Sequence, residues 1–214
     1  AEIDRGYSVA VDGKGNSYVT GHFQSPEFQI GDRTFTNRGD YDYFVARFDA
    51  DGEFKWAHSG GGEGYDYGHG IAVTPAGDSY VAGSFSGEVT LGKSKSPSAK
   101  GKSMFVAKYD ADGQLQWSHL AGNDRGQSGH NIAVGADGHC YVSGYVSGIV
   151  QLGGHQFGSP TAVKDIFVAR LDSDGNCIWA TTAGGESDGL STGVAVDGTG
   201  NCYLTGMFTK TAVF

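Results

Sequence analysis

The chain has 214 residues, 24 acidic against 15 basic side chains and a formal charge of −9, a balance that argues against nucleic acid, whose phosphates need clustered Lys and Arg. Glycine is abundant at 37 residues and proline scarce at 4, with no Gly-X-Y rhythm, which excludes collagen; plentiful aromatic and β-branched residues exclude disorder. No apolar run approaches the length of a membrane span, so membrane insertion is not expected, and Ala1-Glu2-Ile3-Asp4 reads as an internal or processed start rather than a signal peptide.

In chain order, Ser8 to Val11 alternates, turns through Asp12-Gly13-Lys14-Gly15-Asn16 and continues as Ser17 to Phe23, which reads as a β-hairpin, strands A and B. A longer link, Gln24 to Tyr43, holds a small extra hairpin over Phe28 to Phe35. Phe44 to Phe48, the turn Asp49-Ala50-Asp51-Gly52 and Glu53 to His58 form a second hairpin, strands C and D. A Gly-rich link, Ser59 to Gly64, leads to the next unit. The pattern then recurs: Val11, Val73, Val134 and Val196 stand 62, 61 and 62 residues apart, and Trp56, Trp117 and Trp179 keep the same beat.

Four strands at this period make a propeller blade. The expected fold is therefore all-β, a single β-propeller array of about three and a half four-stranded antiparallel blades. Its units are approximately 6–67, 68–129 and 130–191, with a partial unit at 192–214. The Trp of strand D is expected to pack between adjacent blades. Strands C and D of the fourth unit are missing, so the chain should not close a ring alone. Both end faces should be wet, and Phe214 should lie in a blade interior with an open backbone edge. A protein partner, or the remainder of a longer chain, is expected to complete the propeller. Cys140, Cys177 and Cys202 are expected to be free thiols, since equivalent positions in neighbouring repeats are too far apart to bridge.

The combined string Gly-Ile-Ala-Val-x-x-x-Gly-x-x-Tyr-Val-x-Gly, then Phe-Val-Ala-Lys/Arg-Φ-Asp-x-x-Gly-x-x-x-Trp and a Gly-Gly link, resembles the bacterial SBBP-type β-propeller repeat. The match covers essentially the whole chain. The resemblance implies a propeller of an exported or surface-attached bacterial protein, secreted, at the cell surface or periplasmic. It carries no catalytic residues to transfer.

Short, repetitive A–B and C–D turns share one face; the long, variable B–C and D–A links share the other, where binding is expected. In the first unit that face gathers Asp40, Tyr41, Asp42, Tyr65, Asp66 and Tyr67, aromatics and carboxylates suited to stacking and hydrogen-bonding a sugar; plain loop packing of the Tyr side chains is the simpler reading. Tyr7, His69 and His130 occupy one repeat position before strand A, with Thr192 in the fourth unit, and should ring the mouth of the central channel. Metal binding by these or by the second equivalent pair, His58 and His119, is a weaker reading, because no unit supplies a dense ligand set. The Asp-x-Asp-Gly turns Asp49/Asp51, Asp110/Asp112 and Asp172/Asp174 read as structural turns, with weak Ca²⁺ binding as the lesser reading; no other cofactor is expected. The basic cluster Lys93, Lys95, Lys100 and Lys102 reads as a solvated loop. No nucleophile elbow, phosphate loop, His-Glu-x-x-His or Cys-x-x-Cys is present. The expected function is a non-catalytic scaffold or protein-binding module; the runner-up is a glycan-binding or glycan-active protein using the acidic, Tyr-rich loops of the first unit.

Overall fold

The computed structural model describes residues 2–96, 101–161, 163–185 and 188–213; Ala1, Lys100 and Phe214 lie outside them. The described residues form strands and turns with no helix. The first blade comprises β1 (Arg5–Val11), β2 (Ser17–Phe23), β5 (Asp42–Phe48) and β6 (Phe54–Gly60), antiparallel in that order, with β3 (Glu27–Ile30) and β4 (Arg33–Thr36) as the extra hairpin. The second repeats this with β7 (Tyr67–Val73), β8 (Ser79–Ser86), β11 (Lys102–Tyr109) and β12 (Leu115–Ala121), plus the short pair β9 (Thr90–Leu91) and β10 (Ser94–Lys95). The third has β13 (Gln127–Val134), β14 (Cys140–Val146), β17 (Asp165–Leu171) and β18 (Cys177–Gly185), plus β15 (Gly148–Leu152) and β16 (His155–Ser159). The last is the two-stranded β19 (Gly189–Val196) and β20 (Cys202–Phe208), after which β21 (Ala212–Val213) pairs with the end of β18.

The A strands β1, β7, β13 and β19 lie side by side, each against the next, and so line the axis of the arc. The core sits between blades, because each sheet buries a face against its neighbour. Tyr18, Val45, Trp56, Ile71, Phe105 and Tyr109 fill the first junction. Tyr80, Val106, Ile132, Val142, Phe167 and Leu171 belong to the second. All three cysteines are free, with Cys140 fully buried.

The junctions are also latched by directed hydrogen bonds. Trp56 Nε1 donates to the Ala111 carbonyl at 3.0 Å, and His58 Nε2 meets the Gly113 carbonyl at 2.7 Å. One blade on, Trp117 Nε1 donates to the Ser173 carbonyl at 2.9 Å, and His119 Nε2 meets that of Gly175 at 2.6 Å. In each case strand D of one blade grips the C–D turn of the next. Such a turn requires a left-handed residue, and Gly113 and Gly175 supply it at φ 83° and 89°. Their missing side chains also make room for the indole, since a Cβ would stand 2.7 Å from Trp56 and 2.8 Å from Trp117.

The ends lack these partners. Val9 is 63% exposed where its repeat equivalent Ile71 is 5% exposed. Tyr203 is 58% exposed where Tyr80 and Tyr141 are fully buried. No sheet joins β19–β20 to β1–β2 among the described residues. The arc is open, with an apolar face wet at each end. Gly52, the first-blade equivalent of Gly113, has nothing within 4 Å of its Cβ direction.

Gly52→Ala should cost roughly 1–2 kcal/mol, the left-handed penalty alone. Gly113→Ala should cost clearly more, because its methyl also meets Trp56. Urea unfolding of both variants checks this; equal losses would contradict the latch.

Candidate functional site

The B–C and D–A links of the first two blades are zipped together. The Tyr41 amide donates to the Gly64 carbonyl and the Asp66 amide to the Tyr41 carbonyl, in a single parallel bridge between Tyr41 and Tyr65. This brings the tyrosines of two separate links into one patch. Tyr41 and Tyr65 have ring centroids 5.3 Å apart, and Tyr65 stacks on Tyr67 at 6.5 Å with 6° between planes. Tyr67 stacks on His69 at 5.3 Å, His69 meets His130 at 5.0 Å, and His130 meets Tyr145 at 5.6 Å. Tyr7 joins from the first blade, 5.7 Å from His69. The result is an unbroken row of rings across three blades at the mouth of the arc.

A backbone device aims this row. Each A strand pairs with its B strand through a register shift: Gly6 pairs with Gly21 and Ser8 with Thr20, so Tyr7 is an extra residue. The same shift leaves His69, His130 and Thr192 as the extra residues of β7, β13 and β19. Such a bulge turns its side chain away from the regular pleat, here at the axis-lining edge. The repeat position predicted to ring the channel mouth therefore has a geometric identity: it is the bulge.

His22, on strand B, completes the patch. It is 3% exposed, lies 4.7 Å from the Tyr41 ring and 5.0 Å from Tyr67, and its Nδ1 has no hydrogen-bond partner among the described residues. Two lysines flank the row: Lys102 Nζ sits 5.0 Å over the Tyr67 ring and Lys164 Nζ 4.2 Å over the Tyr145 ring. Burial, with the ammonium of Lys164, lowers the Lys102 pKa. Burial pulls His69 down to about 3 and His130 to about 4, assisted by His130 and Lys102 at the first and by both lysines at the second. The imidazoles are therefore neutral at physiological pH. Lys102 departs from the solvated-loop expectation: it opens β11, is only partly exposed, and belongs to the mouth.

The predicted carboxylates separate. Asp40 is exposed; its charge reaches the Tyr67 phenol, and its backbone carbonyl accepts from Asn37 Nδ2. Asp66 is fully buried and accepts from the Gly62 and Ser86 amides, tying the D–A link to the end of strand B. Asp42 is also fully buried, with Arg38 Nε 3.3 Å away, and Gly61 sits against both acids, where a Cβ would stand 2.4 Å from Asp42 Oδ1 and 2.6 Å from Asp66 Oδ2. Burial pushes the Asp66 carboxyl up to about 7 despite its two amide donors, with the Asp42 charge adding to the rise. Asp66 thus acts as a buried strut, and the accessible part of the patch is aromatic, with the Asp40 carboxylate on the first-blade side and Lys102 and Lys164 beyond it.

In the Asp-x-Asp-Gly turns, Asp49 Oδ1 accepts from the Asp51 and Glu53 amides, and Asp110 and Asp172 repeat this with Asp112 and Gln114, and Asp174 and Asn176. The second oxygens face Lys55, Gln116 and Asn176. These carboxylates are occupied in shaping the turn. His58 and His119 lie on the outer strands and spend Nε2 on turn carbonyls, away from the axis-lining A strands. Among the described residues no three His, Cys, Asp or Glu side chains cluster as a metal site.

Protonation gives a prediction with a definite sign. An acid raised from an ordinary 3.8 to about 7 makes the native state bind a proton that the unfolded chain has released. Its contribution is therefore complete below about pH 4 and is lost as pH rises through 7. His69 and His130, held low, act in the opposite sense and favour the fold above their ordinary pKa of 6.5. Denaturation midpoints of the native chain and Asp66→Asn should thus shift in favour of the variant between about pH 4 and 7. A pH-independent difference would contradict the assignment.

Against known proteins, residues 2–22 match a family model described as the SBBP β-propeller repeat. No curated protein matches the chain. Among solved structures, the chain is similar to a protein of unknown function from Bacteroides caccae, at 10% identity and a TM-score of 0.47, over 93% of this chain. The chain spans about half of that protein, 52% of its length. By its four-stranded antiparallel blades and the repeat matched at 2–22, the chain is a β-propeller array carrying an SBBP-type repeat.

Proposed function

We propose that this chain is a non-catalytic binding module of an exported or cell-surface bacterial protein and recognises its partner through the B–C and D–A face. The observation that carries the reading is the row of rings on that face, assembled from three blades and aimed by a repeated bulge. Aromatic side chains with polar tips suit contact surfaces that are half wet. The two acids that most resemble a catalytic pair, Asp42 and Asp66, are sealed in the link, which weighs against a glycosidase mechanism needing both carboxylates at the substrate. Further blades of the same kind are the proposed cover for the wet ends. Trp179 stands at the strand D position from which Trp56 and Trp117 grip a C–D turn, and among the described residues no C–D turn meets it.

The glycan reading is favoured by the exposure of Tyr7 and Tyr65, 47% and 48% accessible beside the stacked row. Screening the chain against immobilised glycans and glycoside substrates tests both statements. Saturable binding that Tyr65→Ala weakens several-fold, without turnover, is the expected result; turnover of any glycoside would reject the non-catalytic reading.

A further inference from the structure

The mouth row changes character along its length. Three columns of repeat-equivalent positions build it: the bulge (Tyr7, His69, His130), the end of strand B (His22, Ser84, Tyr145) and the residue before or at the start of strand C (Tyr41, Lys102, Lys164). On the first-blade side all three positions are aromatic. On the second- and third-blade side the last column turns cationic. In a chain of net charge −9, two ammonium groups here stand over rings, and neither is within ion-pair distance of a carboxylate among the described residues.

This arrangement selects for charge sign. The lysines flank His69 and His130, whose rings meet at 5.0 Å, so a cation placed there would be repelled from both sides. An anion would gain two ammonium partners beside the rings. The His69 Nε2 is held by Ser84 Oγ at 3.2 Å, which fixes its ring, whereas buried His22 Nδ1 has no partner among the described residues. At the aromatic end, half-exposed Tyr7 and Tyr65, with polar rims, suit a pyranose, which offers C–H bonds to a ring and hydroxyls to its rim.

We propose that the mouth binds a carboxylate-bearing saccharide, with the sugar ring on the Tyr65–Tyr67 side and the carboxylate between Lys102 and Lys164. The site rests on the binding-module reading and adds to it a ligand class and the two residues that set charge preference. Partial shielding from water strengthens both ion pairs relative to fully exposed ones, and added salt should weaken them.

The test is isothermal titration calorimetry of the full chain with tetragalacturonate, cellotetraose and tetraglutamate. Tetragalacturonate should bind, and binding should weaken at least tenfold in Lys164→Gln and in Lys102→Met. Lys164 opens onto the link before β17, so Lys164→Gln serves where Lys102→Met disturbs packing. Raising the salt should weaken the uronate in the native chain and less in the variants. No uronate binding, unchanged affinity in Lys164→Gln, or tetraglutamate binding as tightly overturns the proposal. Equal binding of cellotetraose sinks the anionic preference while leaving a glycan-binding module; cleavage of either saccharide sinks the binding-module reading itself.

Discussion

The structure depends on a grip that each blade takes on the next. A sheet of four short strands cannot bury its faces alone, so every blade must be held at a fixed angle to its neighbour. Apolar contact supplies most of the attraction but little direction. Direction comes from Trp and His on strand D, which reach the peptide carbonyls of the following C–D turn. Tyr on strand B reaches the A–B turn of the following blade, with the Tyr80 hydroxyl donating to the Gly138 carbonyl and that of Tyr141 to the Gly200 carbonyl. Losing one of these bonds costs about 1 kcal/mol, so each latch also penalises a misplaced blade.

That rigid spacing is what turns loose link residues into a surface. With the A strands held side by side, bulged residues of successive blades come into ring contact although they are some sixty residues apart in sequence. The links add the rest through the Tyr41–Tyr65 bridge and the buried Asp66 strut. Scaffold and surface are coupled: the same repeat that fixes the blades also fixes which three positions reach the mouth, and only their identities change.

Much of this was legible in the sequence. The period of the Val and Trp positions gives the blade count, and paired runs around Gly/Asp turns give the strands. Two-residue spacing in β structure, together with the repeat, places Tyr7, His69 and His130 in one column. The remainder depends on three-dimensional registration. His22, Lys102, Tyr145 and Lys164 are far apart along the chain and unlike in type, and lie at the mouth only because strand B, the start of strand C and the bulge converge there. Aligning every column of the repeat, rather than only the repeated residues, was the signal that could have found them. Asp66 misleads for the opposite reason: a carboxylate between two tyrosines looks like surface chemistry, yet two backbone amides draw it inside. The long B–C link is likewise shorter as a binding loop than its length suggests, because its middle folds into hairpins such as β15–β16 that rest beside strand D.

The most direct test of the interlocking-blade account compares Trp117→Phe with Trp179→Phe in urea unfolding. Trp117 donates to the Ser173 carbonyl and covers Gly175, whereas Trp179 Nε1 has no acceptor among the described residues. The account predicts that Trp117→Phe loses about 1 kcal/mol for the hydrogen bond, with a further loss from packing, while Trp179→Phe changes stability by no more than a few tenths. Equal losses at the two positions would contradict it.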